Sequence, residues 1–212
     1  MIPLLQNFKT IILANGAFPK HKIPLSFLHW ADRIICCDGA INNLLEIKLE
    51  PDYIVGDLDS ISETIKKRFH SILHHNPDQE TNDLTKAVRF CIMNGWNRIT
   101  ILGATGKRED HSMGNLSLLT DYGEYSQVQM LTDYGVFNPQ TKSSVYESYS
   151  GQQVSIFSLT PTSFFSSSGL VYPLEKRSFT SWWQGTLNEA SSNSFSIEIN
   201  EGKALVFREY EQ

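Results

Sequence analysis

The chain has 212 residues, a formal net charge of −5, 41% hydrophobic and 19% charged residues. That length suits one large domain or two modest ones, and that composition a packed core rather than a disordered chain. A net negative chain without a Lys/Arg stripe is a poor match to nucleic acid. The opening Met1–Asn7 lacks the basic and apolar regions of a signal peptide. No apolar run approaches the ~20 residues that cross a bilayer. The cysteines, Cys36, Cys37 and Cys91, are odd in number, two of them adjacent, and form no CxxC, which suits neither a disulfide framework nor a zinc site. A cytoplasmic protein with no nucleic-acid or membrane partner is the expectation.

In chain order, Lys9–Ala14, Arg33–Cys37, Tyr53–Val55, Ser71–His74, Arg98–Leu102 and Val128–Leu131 read as apolar strands. Between them, Leu25–Trp30, Ala40–Leu45, Ser62–Phe69, Leu84–Met93 and Ser112–Thr120 have helical spacing. Repeated strand–helix–strand order predicts an α/β domain with a mainly parallel sheet over residues 1–135. Cys36 and Cys37 are expected as buried strand neighbours facing opposite ways. From about residue 140 the composition turns to Ser, Thr, aromatic and β-branched residues. Ser144–Tyr149, Gln153–Leu159, Phe195–Ile199 and Ala204–Phe207 read as strands separated by turns, with nothing of helical period. This predicts an all-β, sandwich-like domain over residues 140–212. The boundary is placed at Tyr134–Lys142, which contains Gly135 and Pro139, and Ser163–Ser168 is read as a loop.

The chemistry concentrates where the N-terminal strands end. Pro51–Ser60 runs from an apolar strand through Gly56 into Asp57 and Asp59. In extended chain residues i and i+2 face the same way, so both carboxylates can meet one hard cation such as magnesium. Parallel sheets bind ligands beyond the carboxyl ends of their strands, where this motif falls. Ser60-Ile61-Ser62-Glu63 fits a capping box with Ser60 as the cap. Asp78–Lys86 enters a helix with Asp83 and Lys86 three apart on one face. Leu102–Asn115 is a glycine-bearing loop opening another helix, where free amides and Arg108 suit phosphate; it is not a Walker loop. Cys36–Asn42 again places an acid and a glycine, Asp38 and Gly39, after a strand.

Together these segments resemble the thiamine pyrophosphokinase (thiamine diphosphokinase) family. Its DGGAN-like, P-D-x-x-x-G-D-x-D-S, D-Q-x-x-T-D-x-x-K and G-G-R-x-D-H elements are matched in order by Asp38–Asn42, Pro51–Ser60, Asp78–Lys86 and Gly106–His111. Gly169–Leu174 and Gly185–Ala190 extend the resemblance across nearly the whole chain. The resemblance implies a homodimer in which ATP and Mg2+ serve transfer of a pyrophosphoryl group to thiamine, yielding thiamine diphosphate and AMP. Asp57, Asp59 and Asp83 would hold the metal. Gln79, Lys86, Arg108 and Asp110 would address ATP and the reacting phosphates, Asp110 as first choice and Asp59 as second for accepting the hydroxyl proton. Asp38, Gly39, Gly106, His111 and Asn115 join the ATP-binding set. The resemblance places thiamine near Asn188 and Glu189, at the dimer interface. The thiazolium also suits an aromatic face, from Trp183 or Trp182, at most one of which is expected to reach it; core packing of both is the equal alternative.

Four positions depart from the pattern: Ala40 and Lys107 stand in place of glycines, Leu187 in place of a serine, and Asn82 is an extra residue before Asp83. Two other classes compete. A magnesium phosphohydrolase with an aspartate nucleophile would release phosphate without AMP, and a vitamin- or sugar-binding module would consume no ATP.

Overall fold

The computed structural model describes residues 8–211, so the Met1–Asn7 opening lies outside the described residues. The first half alternates β1 (Thr10–Leu13), α1 (Lys22–His29), β2 (Arg33–Cys37), α2 (Ile41–Glu46), β3 (Tyr53–Gly56), α3 (Glu63–Arg68), β4 (Leu73–His75), α4 (Asp83–Met93), β5 (Arg98–Leu102), α5 (Glu109–Tyr122) and β6 (Gln127–Leu131). Strands β1 to β6 pair in parallel in the order β6-β5-β1-β2-β3-β4. All but the edge strand β4 (Leu73–His75) are largely buried on both faces, which is why they read as apolar runs rather than alternations. The period-two pleat still sorts the faces. Ile11, Leu13 and Cys36 pack with Phe27 and Leu28 of α1 and Leu44 of α2, while Ile12, Ile35 and Cys37 pack with Val88 and Cys91 of α4 and Leu119 of α5. The two adjacent cysteines therefore sit in different cores, both buried and unpaired.

The second half is antiparallel, as the alternating pattern predicted. It contains β7 (Gly135–Gln140), β8 (Ser144–Glu147), β9 (Gln153–Ser158), β10 (Phe165–Ser168), β11 (Asn188–Glu189), β12 (Ser194–Ile199) and β13 (Ala204–Glu209). Strands β10, β12 and β8 form a small sheet. It packs on the end of the large one through Phe165, Phe195, Ile197, Val154, Ile156 and Val206.

Three features differ from the sequence reading. The segment read as a boundary is strand β7, hydrogen-bonded to β6 on one side and β13 on the other. The large sheet is thus continuous through ten strands, β11-β9-β13-β7-β6-β5-β1-β2-β3-β4. The serine cluster read as a loop contains β10, with Phe165 fully buried. Its hydroxyls bond across: Ser167 and Ser166 accept from the amides of Leu174 and Lys176, and Ser168 meets Ser196 at 2.8 Å. Trp182–Gly185 forms a short 3-10 helix closed by a capping box between Ser181 and Gln184, in a region read as wholly extended. Among the described residues no helix is long and apolar enough to cross a membrane.

Candidate functional site

A cleft of about 940 Å³ opens over the carboxyl ends of β1, β2, β3 and β5. It lies where the strand order reverses, with β1 flanked by β2 on one side and β5 on the other, the place where open α/β sheets bind ligands. Asp38, Asp57, Asp59, Gln79, Asp83, Lys86, Arg108, His111 and Asn115 all line it. These side chains come from the segments that follow β2, β3, β4 and β5, the four segments singled out in the sequence.

Asp38 follows β2 in a left-handed turn, φ 39°. It is buried, and its Oδ2 accepts from the Ser60 amide at 3.1 Å while Oδ1 has no partner. Burial pushes its carboxyl above the ordinary range. The Ser60 bonds oppose that shift, and repulsion from Asp83 and Asp59 adds to it. Asp57 and Asp59 follow β3, but not as extended chain. Leu58 between them has φ 65° and is buried, and the Asp59 amide donates back to Asp57 Oδ1 at 3.3 Å. The carboxylates are therefore brought together by an Asx turn anchored on the apolar Leu58, rather than by strand alternation. That amide bond, the Gln79 side chain and the charge of Lys86 hold Asp57 below the usual carboxylate range.

Carboxylate oxygens of Asp38, Asp57 and Asp59 lie within 4.8 Å of one another, the one such group of three among the described residues. This trio differs in one member from the expected Asp57, Asp59 and Asp83. Asp83 adjoins it, since a Cβ on Gly56 would stand 3.0 Å from Asp38 Cβ and 3.3 Å from Asp83 Oδ1. Its Oδ1 is engaged by Lys86 Nζ at 3.0 Å. The two meet because helix positions i and i+3 share a face. Lys86 is nearly inaccessible, its side chain 3% exposed. A buried, partnerless carboxylate oxygen beside two further acids is the hard-oxygen donor set that magnesium takes.

The β5–α5 loop forms the opposite wall. Gly103 and Gly106 have φ 65° and 90°, conformations that favour glycine. The Gly106 amide, expected to face phosphate, instead donates to Ser112 Oγ at 3.2 Å. Gly106, Gly39 and Asp110 are not among the cleft-lining residues. The Asp110 carboxylate is held by Arg108, Nε to Oδ1 at 3.0 Å and Nη2 to Oδ2 at 2.5 Å, and also accepts from the His111 amide. Arg108 is the main cause that pulls the Asp110 carboxyl down to about 2. A carboxylate so held is a weak proton acceptor, against the role expected of it. Asn115 is a brace: it donates to Ala104 O at 2.8 Å and accepts from Asn82 Nδ2 at 3.2 Å.

Sequence reasoning passed over several cleft residues. Ser60 does not cap α3; Ser62 does, accepting from the Ile65 amide, while Ser60 Oγ donates to Asp59 at 2.9 Å. Asn82, the extra residue, caps α4 through the Thr85 amide at 2.8 Å. Asn15 and Gly16 follow β1 and line the cleft. No Cβ fits at Gly16, where it would fall 2.3 Å from Gly103 O; a glycine directly after a buried strand was the signal available.

The C-terminal residues lie in a different place. Asn188, not Glu189 or Trp183, lines a second cavity of about 240 Å³ with Tyr172, Leu174, Phe179, Arg177 and Leu187. The amide of Asn188 is committed to the chain, bonding Tyr172 N and O and the Glu189 amide. Trp182 donates its indole N–H to Ser158 O at 3.0 Å and lies edge-on to Phe157, whereas Trp183 is 72% exposed. Both lie on a 3-10 helix rather than a strand, and neither is packed in the core.

Comparison with known proteins follows the same division. The family model "Thiamin pyrophosphokinase, catalytic domain" matches residues 25–131, and "Thiamin pyrophosphokinase, substrate-binding domain" matches residues 135–207. Thiamine pyrophosphokinase 1 of Oryza sativa subsp. japonica is 27% identical over 176 residues, 69% of this chain and 67% of that protein. Thiamin pyrophosphokinase 1 of Caenorhabditis elegans is 37% identical over 94 residues, 40% of this chain and 38% of that protein. The fold matches that of thiamin pyrophosphokinase from Candida albicans with a TM-score of 0.81 at 18% identity, covering 98% of this chain and 91% of that one. It matches the Bacillus subtilis enzyme's fold at 0.78 and 20% identity, covering 96% and 100%.

Proposed function

The chain belongs to the thiamin pyrophosphokinase family, and on that premise we propose that it transfers a pyrophosphoryl group from ATP to the hydroxyl of thiamine. The observation that carries this reading is the convergence of acids and cations from four strand ends in one cleft at the sheet's switch point. A phosphohydrolase or a plain binding module accounts for the acids alone, or for neither wall.

The thiamine hydroxyl oxygen attacks the β-phosphorus, a new P–O bond forms, the bond to the α-phosphate oxygen breaks, and AMP leaves. Asp38, Asp57 and Asp59, with Asp83 beside them, would hold Mg2+, which when bound offsets charge on the phosphate oxygens. Lys86 fixes Asp83 and adds positive charge from a buried position. Arg108 is assigned to phosphate, with Asp110 orienting its guanidinium. Gln79, His111 and Asn115 line the nucleotide side, and Asp38 shapes its floor. Gly106 supplies the turn that presents Arg108. Asp59, exposed and without an ion-pair partner among the described residues, is assigned as acceptor of the hydroxyl proton. Preorganised charge and positioning supply most of the acceleration, since no covalent enzyme intermediate is needed.

We assign thiamine recognition to the C-terminal half, residues 140–212, around the second cavity, with the open face of Trp183 as a partner for the thiazolium. Tyr172 and Leu187, both exposed, line that cavity, and Val171 and Trp183 are exposed next to lining residues in sequence; on this apolar surface we place a homodimer interface that holds the thiamine site. Buried unpaired cysteines suit a cytoplasmic setting.

The test is incubation with thiamine, ATP and magnesium, with and without chelator, followed by separation of products. Equal amounts of thiamine diphosphate and AMP, lost on chelation, are expected; ADP with thiamine monophosphate, or no product, refutes the proposed transfer. Asp57→Asn is expected to abolish turnover with the fold intact by circular dichroism, and near-normal activity would end the metal assignment.

A further inference from the structure

The cleft is lined by the carboxylates Asp38, Asp57, Asp59, Glu80 and Asp83 and by the cations Lys86, Lys107 and Arg108. Lys86 is paired with Asp83, and Arg108 with Asp110. Lys107 is, among the described residues, the cleft cation without a carboxylate partner. Its Nζ rests on neutral oxygens, the carbonyl of Asn15 at 3.1 Å and the Asn15 side-chain oxygen at 3.4 Å.

Those contacts place it at the reversal point of the sheet. The β1–α1 and β5–α5 loops are stitched together there by Gly16 N to Gly103 O at 2.6 Å and Ala17 N to Thr105 O at 2.8 Å. Lys107 adds a side-chain bond across the same crevice. An ammonium has three donors, and a phosphate oxygen attracts it more strongly than a neutral carbonyl does, because both partners are then charged. A polyanion entering a cleft with more acids than cations gains most from the cation whose charge is not already neutralised nearby.

We propose that Lys107 is a phosphate-binding residue of this cleft: its ammonium leaves Asn15 to hold the polyphosphate chain of the nucleotide where β1 and β5 part. Within the functional reading above, on which this rests, Lys107 acts on donor binding and not on thiamine.

The test is calorimetric titration of inorganic tripolyphosphate into the intact protein in magnesium buffer, which needs no turnover. Lys107→Met is expected to weaken binding about tenfold, and Lys107→Arg to restore it to within about threefold, since either cation donates to phosphate. Asn15→Ala removes the side-chain half of the strap but keeps the charge, and is expected not to weaken binding. In turnover assays Lys107→Met raises KM for ATP and leaves KM for thiamine in place. Equal affinity in wild type and Lys107→Met overturns the inference, as does no tripolyphosphate binding by wild type. Loss of affinity in Asn15→Ala equal to that in Lys107→Met also overturns it, because Lys107 is then only a strap between loops. Failure to make thiamine diphosphate, with tripolyphosphate binding still dependent on Lys107, would refute the reaction and keep the phosphate site.

Discussion

Arg108 meets both oxygens of Asp110 on an exposed helix start, and the pairing governs how that acid titrates. Its carboxyl is lowered to about 2, so the ionised pair is complete above the ordinary carboxylate value and is lost only as pH falls through about 2. Carbon-detected NMR should give an Asp110 midpoint near 2, moving back toward ~4 in Arg108→Met; a wild-type midpoint near 4 would mean the pair does not form in solution. Asp38 presents the reverse case. It is buried, has a partnerless oxygen and is pushed up by that burial. Asp38→Asn should therefore raise Tm by a degree or more, because a neutral isostere relieves a desolvated charge, while turnover falls at least ~100-fold and the magnesium requirement rises. A lower Tm in thermal melts would make Asp38 a structural residue. The acids themselves were legible, because an apolar run ending in Gly and Asp is an uncommon local pattern. Which acids share one centre was not. Asp38 accepts from the Ser60 amide, 22 positions on in sequence, and so stands beside Asp57 and Asp59, and no spacing rule encodes it.

At the scale of elements, the helices were found by their apolar period, but their starts depended on contacts elsewhere. Ser60 and Ser62 both offer a hydroxyl ahead of α3, and the capping-box pattern selects Ser60. In the structure the Ser60 amide is taken by Asp38 and its hydroxyl by Asp59, so the helix begins two residues later on Ser62. The two serines should therefore separate stability from function. Ser62→Ala loses a cap, costing about 1 kcal/mol and, for a chain of this size, roughly 2–4 °C in Tm, with activity kept. Ser60→Ala should spare Tm to within about 1 °C and lower turnover several-fold by loosening Asp59. Melting curves and assays on the same two preparations decide it, and equal effects of the two substitutions would return the cap to Ser60. Gly16 is a stricter case. Alanine there meets the carbonyls of Gly103 at 2.3 Å and Thr105 at 2.6 Å, both backbone, so Gly16→Ala should destabilise by more than ~2 kcal/mol, read as a lower urea midpoint.

For the whole molecule, each half announced its class because burial leaves different patterns: continuous apolar runs where helices cover both faces, and alternation where one face meets solvent. The join was hidden because Gly135 and Pro139 carry the chemistry of a linker. Gly135 is instead required inside β7. The carbonyl of Arg208 would lie 2.2 Å from a Cβ there, and the Phe207 ring 2.6 Å. Pro139 sits opposite Leu205 in the same strand pair. The cores follow the sheet across this seam. Leu131 of β6 and Val136 of β7 pack in the core that holds Ile11 and Phe27, and Leu205 of β13 packs in the one that holds Val88 and Leu119. Lys203 adds ion pairs to Asp121 and Glu124 beside α5. Losing β7 would expose the β6 edge and open both N-terminal cores, so neither half can melt while the other keeps its packing. Scanning calorimetry on the full chain should show one transition with van't Hoff and calorimetric enthalpies equal within ~10%. Gly135→Ala, which forces apart the β7–β13 pairing, should lower that single peak without splitting it. Two resolved peaks in either protein, one of them shifted by magnesium and ATP and the other not, would show halves joined by chain alone and would overturn the account of a shared core.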